Sequence, residues 1–301
     1  MISQLSLREV KKLSPSISLQ SDANGYQFLI ITHAKFEAAF TLQGAHLIHF
    51  QATQQPPLIY LSKAALFQPH KAIRGGIPIC WPWFGSADNA LGTDLPSHGF
   101  ARTSLWDVNV DSDDQQGTEI TFTFAANKHS RQQWPHEFLL TLTVKLDEQI
   151  SLALHTQNTG DHDFTYGGAL HTYLHVKAIQ ACKIQGLATQ YTDSLDGGKN
   201  KVAPEEITIN AELDAIHPGQ AQEIIVNDEA YQRNIIVTTS GNDSVVAWNP
   251  WINKAKRLTD MPDDGYQSML CLESAITASS GVVVSPGQTH CLATTIQQGK
   301  Q

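Results

Sequence analysis

Three successive segments decide the fold: EITFTF (119–124), LLTLTVKL (139–146) and ISLALHTQN (150–158). In each of them apolar and polar residues alternate, which is the two-residue period of a β-strand with one buried face. Further strand-like runs follow, and the last two, GVVVS and HCLATTI, are joined by the turn dipeptide Pro286-Gly287. A helical period never persists beyond about two turns. The sequence therefore predicts an all-β fold, an antiparallel sandwich of short strands.

Composition limits the classes of protein that the chain can represent. Of its 301 residues 41% are hydrophobic, enough for a substantial core, and there is no internal repeat or low-complexity linker. This length allows either one large β domain or two smaller ones. The net charge of −9 argues against nucleic acid as a partner. No run approaches the ~20 apolar residues of a membrane span. The N-terminus is polar and unlike a signal peptide, so we expect a cytoplasmic protein. We also expect a monomer.

The cysteines are few and scattered, with no CxxC pair. Most of them have apolar neighbours, as reduced core thiols do, so a disulfide framework is not expected. The residues concerned are Cys80, Cys182, Cys271 and Cys291.

Positive charge is concentrated in an irregular region, 62–104, that is rich in Pro, Gly and Trp. An acidic protein that binds an anion needs such a local concentration, and the guanidinium fork suits phosphate. In IRGGIPICWPWFG (73–85), Arg74 precedes two glycines, which we expect to let the backbone approach a ligand. SHGFAR (97–102) adds His98 and Arg102, with Lys71 nearby. The alternative is that the arginines are ordinary salt-bridge partners.

A second cluster of candidates lies in FTYGGALHTYLHV (164–176), which we expect to be one strand. One face of that strand is apolar, whereas the other carries small residues followed by His171, Tyr173 and His175. This second face is typical of a cleft lining. The two histidines would lie about 13 Å apart, too far to share a metal ion. The alternative is that they are structural histidines with ordinary hydrogen-bond partners.

Glu273 ends the apolar run SMLCLES (268–274). A buried carboxylate is costly, so Glu273 is either beyond the true strand or functional. Desolvation would raise its pKa and make it a better base near neutral pH.

Motifs for other chemistries are absent from the sequence. HExxH and metal-ligand pairs beside a carboxylate are lacking, as are GxSxG, the P-loop and GxGxxG. These absences argue against a metal site and against the serine hydrolase, nucleotidase and dinucleotide-binding classes.

Five motifs in register, RGGIPICWPWFG, SHGFAR, ALHTYLHV, VVAWNPW and CLES, resemble those of the hexose-6-phosphate mutarotases, or glucose-6-phosphate 1-epimerases. These form a branch of the aldose 1-epimerase family, and the resemblance covers nearly the whole chain. It implies a single β-supersandwich domain over residues 1–301 with a sugar cleft, a phosphorylated sugar as substrate, and neither a metal nor an organic cofactor. By position it implies His171 and Glu273 as catalytic residues. It also implies a binding set for the phosphate and the sugar: Arg74, His98, Arg102 and Asp193.

The chain departs from that pattern at two places. Ser97 stands where relatives often have Gln, so a contact with a sugar hydroxyl can be lost or supplied by water. Ser274-Ala275 stands where they often have Pro-Gly, and we expect an altered loop after the base.

The resemblance implies acid–base catalysis with Glu273 as base at O1 and His171 as acid at O5. The two arginines are expected to act mainly on KM. The alternatives are a free-aldose (galactose-type) epimerase, a non-catalytic carbohydrate-binding protein and a metal-dependent isomerase.

Overall fold

The computed structural model describes residues 5–88, 94–220, 223–278 and 280–300. These residues form 24 strands in antiparallel sheets, with two short α-helices, Lys128–Gln133 (α1) and Trp251–Ala255 (α2). The predicted all-β fold is confirmed. Within the described ranges, neither helix has the length or the apolar character needed to cross a bilayer.

The first sheet is a five-stranded meander in which neighbours in sequence are neighbours in space. One of its inner strands is buried on both faces, since five of the six residues of Phe36–Thr41 are buried. A strand buried on both faces shows no alternation, so this sheet has a weaker sequence signal than the next one. Its strands are Arg8–Lys12 (β1), Ile17–Ser21 (β2), Gln27–Thr32 (β3), Phe36–Thr41 (β4) and His46–Ala52 (β5).

The second sheet has nine strands. The three alternating segments quoted above are neighbours in it, as Thr118–Ala125 (β8), Phe138–Leu146 (β9) and Gln149–Asn158 (β10). Their alternate residues are buried, as the period predicts. The strand order is β17-β14-β19-β20-β24-β10-β9-β8-β7. The strands are Asp107–Asp113 (β7), Thr118–Ala125 (β8), Phe138–Leu146 (β9), Gln149–Asn158 (β10), Cys182–Gln185 (β14), Ile207–Thr208 (β17), Ile224–Asp228 (β19), Arg233–Ser240 (β20) and Thr289–Lys300 (β24).

The third sheet has eight strands and carries the candidate site. Its central strands, Ser244–Asn249 (β21) and Met269–Ile276 (β22), are buried at every residue, which explains their continuous apolar runs. Its order is β16-β15-β18-β21-β22-β12-β6, and β13 also pairs with β22. The strands are Ile79–Cys80 (β6), Gly168–Leu170 (β12), Tyr173–His175 (β13), Gln190–Asp193 (β15), Lys199–Val202 (β16), Leu213–Pro218 (β18), Ser244–Asn249 (β21) and Met269–Ile276 (β22).

One predicted strand differs from what is observed. Segment 164–176 is not one strand: Phe164–Tyr166 (β11) pairs with Val282–Val284 (β23) in a separate two-stranded sheet, and β12 and β13 follow. Between β12 and β13 the chain hydrogen-bonds instead to the irregular region, where Pro78 O accepts from the His171 N–H. The predicted turn at Pro286-Gly287 is confirmed: it joins β23 to β24, which belong to different sheets, and the Gln288 N–H donates to Ser285 O.

Candidate active site

His171 and Glu273 meet at the centre of the eight-stranded sheet. His171 lies in the short gap between β12 and β13, and Glu273 is the fifth residue of β22. Strands β13 and β22 pair antiparallel, and the Leu272 N–H donates to the Thr172 carbonyl between them. This pairing brings His171 Nε2 to 3.3 Å from Glu273 Oε1, with side chains only 12% and 2% exposed. The two residues that the sequence proposes for acid–base chemistry are therefore in contact.

The surroundings of this pair favour its uncharged form. Burial raises the pKa of Glu273 well above its usual value; Asp214 adds to the effect and Arg102 opposes it. Burial also lowers the pKa of His171 well below its usual value, as do His98 and the arginines. A neutral imidazole beside a protonated carboxyl carries the same single proton as an imidazolium–carboxylate pair. The resting pair can therefore become ionic by moving one proton from Oε1 to Nε2.

The predicted position of Glu273 at the end of its strand is wrong, because β22 continues to Ile276. The expected altered loop at Ser274-Ala275 is wrong for the same reason, as both residues are buried strand residues and the Ser274 hydroxyl donates to Ala293 O. Glu273 Oε2 is buried without a hydrogen-bond partner among the described residues. Such an oxygen is available to a substrate hydroxyl.

Arg74 is held against the same site by two side chains. Its Nε donates to Asp260 Oδ1 at 3.1 Å, and its Nη1 donates to the Tyr173 hydroxyl at 3.0 Å. It is thus in a salt bridge, as the alternative reading expected. It also faces His171, whose pKa its charge lowers.

The glycines after Arg74 serve close packing within the protein. Both have positive φ, and a Cβ at Gly75 would come within 2.6 Å of the Tyr60 carbonyl oxygen. A Cβ at Gly76 would come within 2.3 Å of His46 Nε2. Within the protein this backbone packs closely against β5 and the loop that follows it, which fixes the position of the Arg74 backbone. The approach of the same backbone to a ligand stays a prediction.

Acidification is expected to destabilise the protein through His46. This imidazole is fully buried with Nε2 2.8 Å from Gly75 O, and burial lowers its pKa from 6.5 to about 3. The unfolded chain takes up a proton at His46 that the folded chain does not. The contribution of His46 to the free energy of unfolding is therefore fully present above pH ~6.5 and declines below it. Between pH 7 and 5 this group should cost about 2 kcal/mol.

The measurement is urea unfolding of the wild type and of His46→Gln at the two pH values. The loss on acidification should be smaller in the variant by about that amount, because the other histidines titrate in both proteins. Equal losses would show that His46 is not the group responsible.

The SHGFAR loop places its two functional candidates beside His171. The rings of His98 and His171 lie 6.0 Å apart. The Arg102 Nη2 donates to Ser97 O at 2.7 Å, while the Ser97 hydroxyl turns away and donates to Gly85 O. Among the described residues Arg102 has no ion pair, so its charge is open to an anion.

His98 is a neutral imidazole with a fixed tautomer. Burial lowers its pKa to about 4, and Arg102 and Arg74 contribute. Because the Gly85 N–H donates to Nδ1 at 3.2 Å, the proton is on Nε2. His98 therefore offers an N–H donor suited to a sugar oxygen.

Asp193 is engaged in local structure. Its carboxylate accepts from Lys201 Nζ at 2.7 Å and from the Leu195 N–H at 2.9 Å. Asp214, which the sequence analysis did not single out, lies one strand away on β18. Its negative charge raises the pKa of Glu273, and the charge of Asp193 in turn raises the pKa of Asp214. The structure therefore brings Asp214 into electrostatic range of the central pair and leaves Asp193 at its periphery.

Two aromatic residues complete the site. The Tyr173 ring is stacked on His171 with centroids 4.8 Å apart and planes 8° from parallel. The Trp248 ring meets His171 edge-on at 6.3 Å. Trp248 lies within the quoted motif VVAWNPW, but only strand pairing shows that it faces this site.

His175 is not part of this site. Its Nε2 is 3.4 Å from the Tyr231 hydroxyl, and it lines a separate cavity of about 400 Å³. The predicted shared face of His171 and His175 is therefore wrong, because the strand containing both is interrupted.

Among the described residues, one cluster contains three side chains of types that can bind a metal ion. They are His171, Cys271 and Glu273, and their potential ligand atoms lie within 4.8 Å of one another. Burial raises the pKa of the Cys271 thiol well above its usual value, and a ligating thiol must lose its proton. Of these three residues, His171 and Glu273 are the ones expected to transfer protons. The absence of a required metal stays a prediction, which full activity in excess chelator would support.

Comparison with known proteins gives consistent matches. A family model described as aldose 1-epimerase matches residues 27–297. An Escherichia coli K12 protein provisionally named glucose-6-phosphate 1-epimerase is 31% identical over 97% of each chain. A Cenchrus ciliaris protein of the same provisional name is 31% identical over 91% of this chain and 85% of its own. The crystal structure of a provisionally named mutarotase from Salmonella typhimurium matches with a TM-score of 0.92 and 30% identity over 98% of both chains.

Proposed function

Since this chain belongs to the aldose 1-epimerase family and interconverts sugar anomers, we propose that its sugar is a hexose 6-phosphate, with glucose 6-phosphate as the first candidate. The observation that supports this substrate is Arg102, a cation without an ion pair among the described residues, close enough to the catalytic pair to act on both members. A free aldose would leave that charge uncompensated. The names of the relatives point to the same substrate.

In the proposed mechanism the pair works in its ionic form. Glu273 removes the proton from O1 while His171 donates one to O5, and the C1–O5 bond opens to the aldehyde. Rotation about C1–C2 and closure on the other face reverse both transfers, so no proton is consumed. Each positioned transfer contributes ~10²–10⁴-fold, and retention of the open chain adds an orientation effect.

The remaining residues bind the sugar phosphate. Arg102 and Arg74 take the phosphate, and His98 donates Nε2–H to a sugar oxygen. Asp214 accepts from sugar hydroxyls, with Lys254 Nζ 3.7 Å from its carboxylate. For Asp193 we retain a supporting role, because its charge acts on Asp214.

Replacing Arg102 with Ala is expected to lower kcat/KM for glucose 6-phosphate about 10–100-fold more than for glucose. The reason is that a hydrogen bond to a charged group contributes about 1.5–3 kcal/mol, and only the phosphorylated substrate loses it. Polarimetry or NMR exchange of both sugars gives the ratio.

The matched control is Arg131→Ala, which removes an exposed arginine paired with Glu137 and should change neither substrate. If glucose and glucose 6-phosphate lose equally in Arg102→Ala, the phosphate assignment is wrong. A wild type that prefers galactose to glucose 6-phosphate would favour the free-aldose alternative.

A further inference from the structure

The cleft presents more positive charge to His171 than it compensates. Arg74 has a counter-ion in Asp260, whereas Arg102 has none among the described residues. Both guanidinium charges act on His171. A free enzyme therefore opposes protonation of the imidazole that the mechanism requires as an acid.

One rigid side chain joins the anion-binding and catalytic groups. The Tyr173 hydroxyl accepts from Arg74, and its ring lies parallel on His171. Tyr173 is buried and held by backbone pairing opposite Cys271 on β22. A movement of Arg74, or the arrival of an anion beside it, is thus transmitted through Tyr173 to the His171 imidazole.

The two arginines act unequally on the two members of the pair. Both lower the pKa of His171, but only Arg102 acts appreciably on Glu273, where it stabilises the carboxylate. Compensating both arginines by an anion therefore favours the imidazolium more than it disfavours the carboxylate. Among the described residues, the charged and titratable groups around the pair are His98 and Arg102 from one loop, Arg74 from another, Cys80 from β6, Tyr173 from β13, Cys271 from β22 and Asp214 from β18.

We propose that the substrate's phosphate activates the catalytic pair: bound at Arg74 and Arg102, the dianion converts the neutral His171–Glu273 pair to the ionic one, with Tyr173 as the positioning residue between them. One proton moves from Glu273 Oε1 to His171 Nε2 across 3.3 Å, and none is exchanged with solvent. This inference rests on the proposed function and extends it, because uniform phosphate binding would alter KM alone.

The experiment supplies the dianion separately from the sugar. Glucose mutarotation is measured with increasing phosphite dianion, and the enzyme-free phosphite rate is subtracted. We expect kcat/KM for glucose to rise about tenfold or more at saturating phosphite, since each pKa unit is a tenfold change in protonation. Arg102→Ala should abolish this activation, whereas Arg131→Ala should show the activation of the wild type.

Tyr173→Phe separates positioning from general structural damage. The variant keeps the ring stack and loses the hydroxyl that Arg74 contacts. We expect the ratio of rates with and without phosphite to fall several-fold, because the Arg74 contact to the stack is gone. Structural damage alone would lower both rates and leave the ratio unchanged, which would overturn the role of Tyr173.

The outcomes for the inference and for the proposed function differ. Activation by phosphate would be overturned if phosphite had no effect and glucose 6-phosphate had a lower KM than glucose but the same kcat. That result would leave the proposed function intact. Glucose 6-phosphate turned over no better than glucose would remove the proposed function itself.

Discussion

Replacing Glu273 with Gln is expected to lower kcat for glucose 6-phosphate by about 10²–10⁴-fold while sugar phosphate binding is largely retained. The amide cannot accept the O1 proton, so the proton transfer that accompanies ring opening is lost. Binding should persist because Arg102 and Arg74, the residues that we propose hold the phosphate, are unchanged. The fold should also persist, because burial raises the pKa of the Glu273 carboxyl well above its usual value and so favours its neutral form, and glutamine is a neutral group of the same size. NMR exchange gives kcat, and calorimetric titration gives Kd.

Glu119→Gln is the matched control for this variant. It makes the same chemical change on an exposed strand residue paired with Lys145 and should leave kcat and Kd unaltered. If Glu273→Gln retained turnover within about tenfold of the wild type, another group would have to be the base. If it lost binding completely, Glu273 would be a binding residue first.

The sequence predicts strands well where one face of a sheet is buried and the other is not. Alternation in 119–158 gave β8, β9 and β10, because those strands lie in a sheet with alternating burial. Strand ends and partners were not predictable in this way. The interruption of 164–176 arises from hydrogen bonds to the distant Pro78 region, and no local pattern records such a partner.

The candidate site was predicted in part, and the missing part has a common cause. His171, Glu273, His98 and the two arginines converge as their motifs predict. Asp214 was missed because its place depends on pairing with Trp248 across β18 and β21. An acidic residue in a strand gives no signal of that neighbour until the register is known.

A buried ion pair outside the site determines the second large effect. Arg233 and Asp228 are 1% and 0% exposed, with Nε 3.4 Å from Oδ2. The guanidinium also donates to Pro56 O, Pro57 O and His175 O, and so ties the loop after β5 to β13 and β20. One arginine thus satisfies three backbone acceptors from two parts of the chain.

Replacing Arg233 with Met is expected to destabilise the protein by about 3–5 kcal/mol, since it leaves the Asp228 charge buried and uncompensated. That is a large share of the ~5–15 kcal/mol that stabilises a typical fold. Urea unfolding of the variant, followed by tryptophan fluorescence, measures the loss. The double variant Asp228→Asn, Arg233→Met should be more stable than Arg233→Met alone, because the unpaired charge is gone although the three carbonyls stay without their donor. If the two variants were equally unstable, the backbone hydrogen bonds, and not the ion pair, would account for the loss.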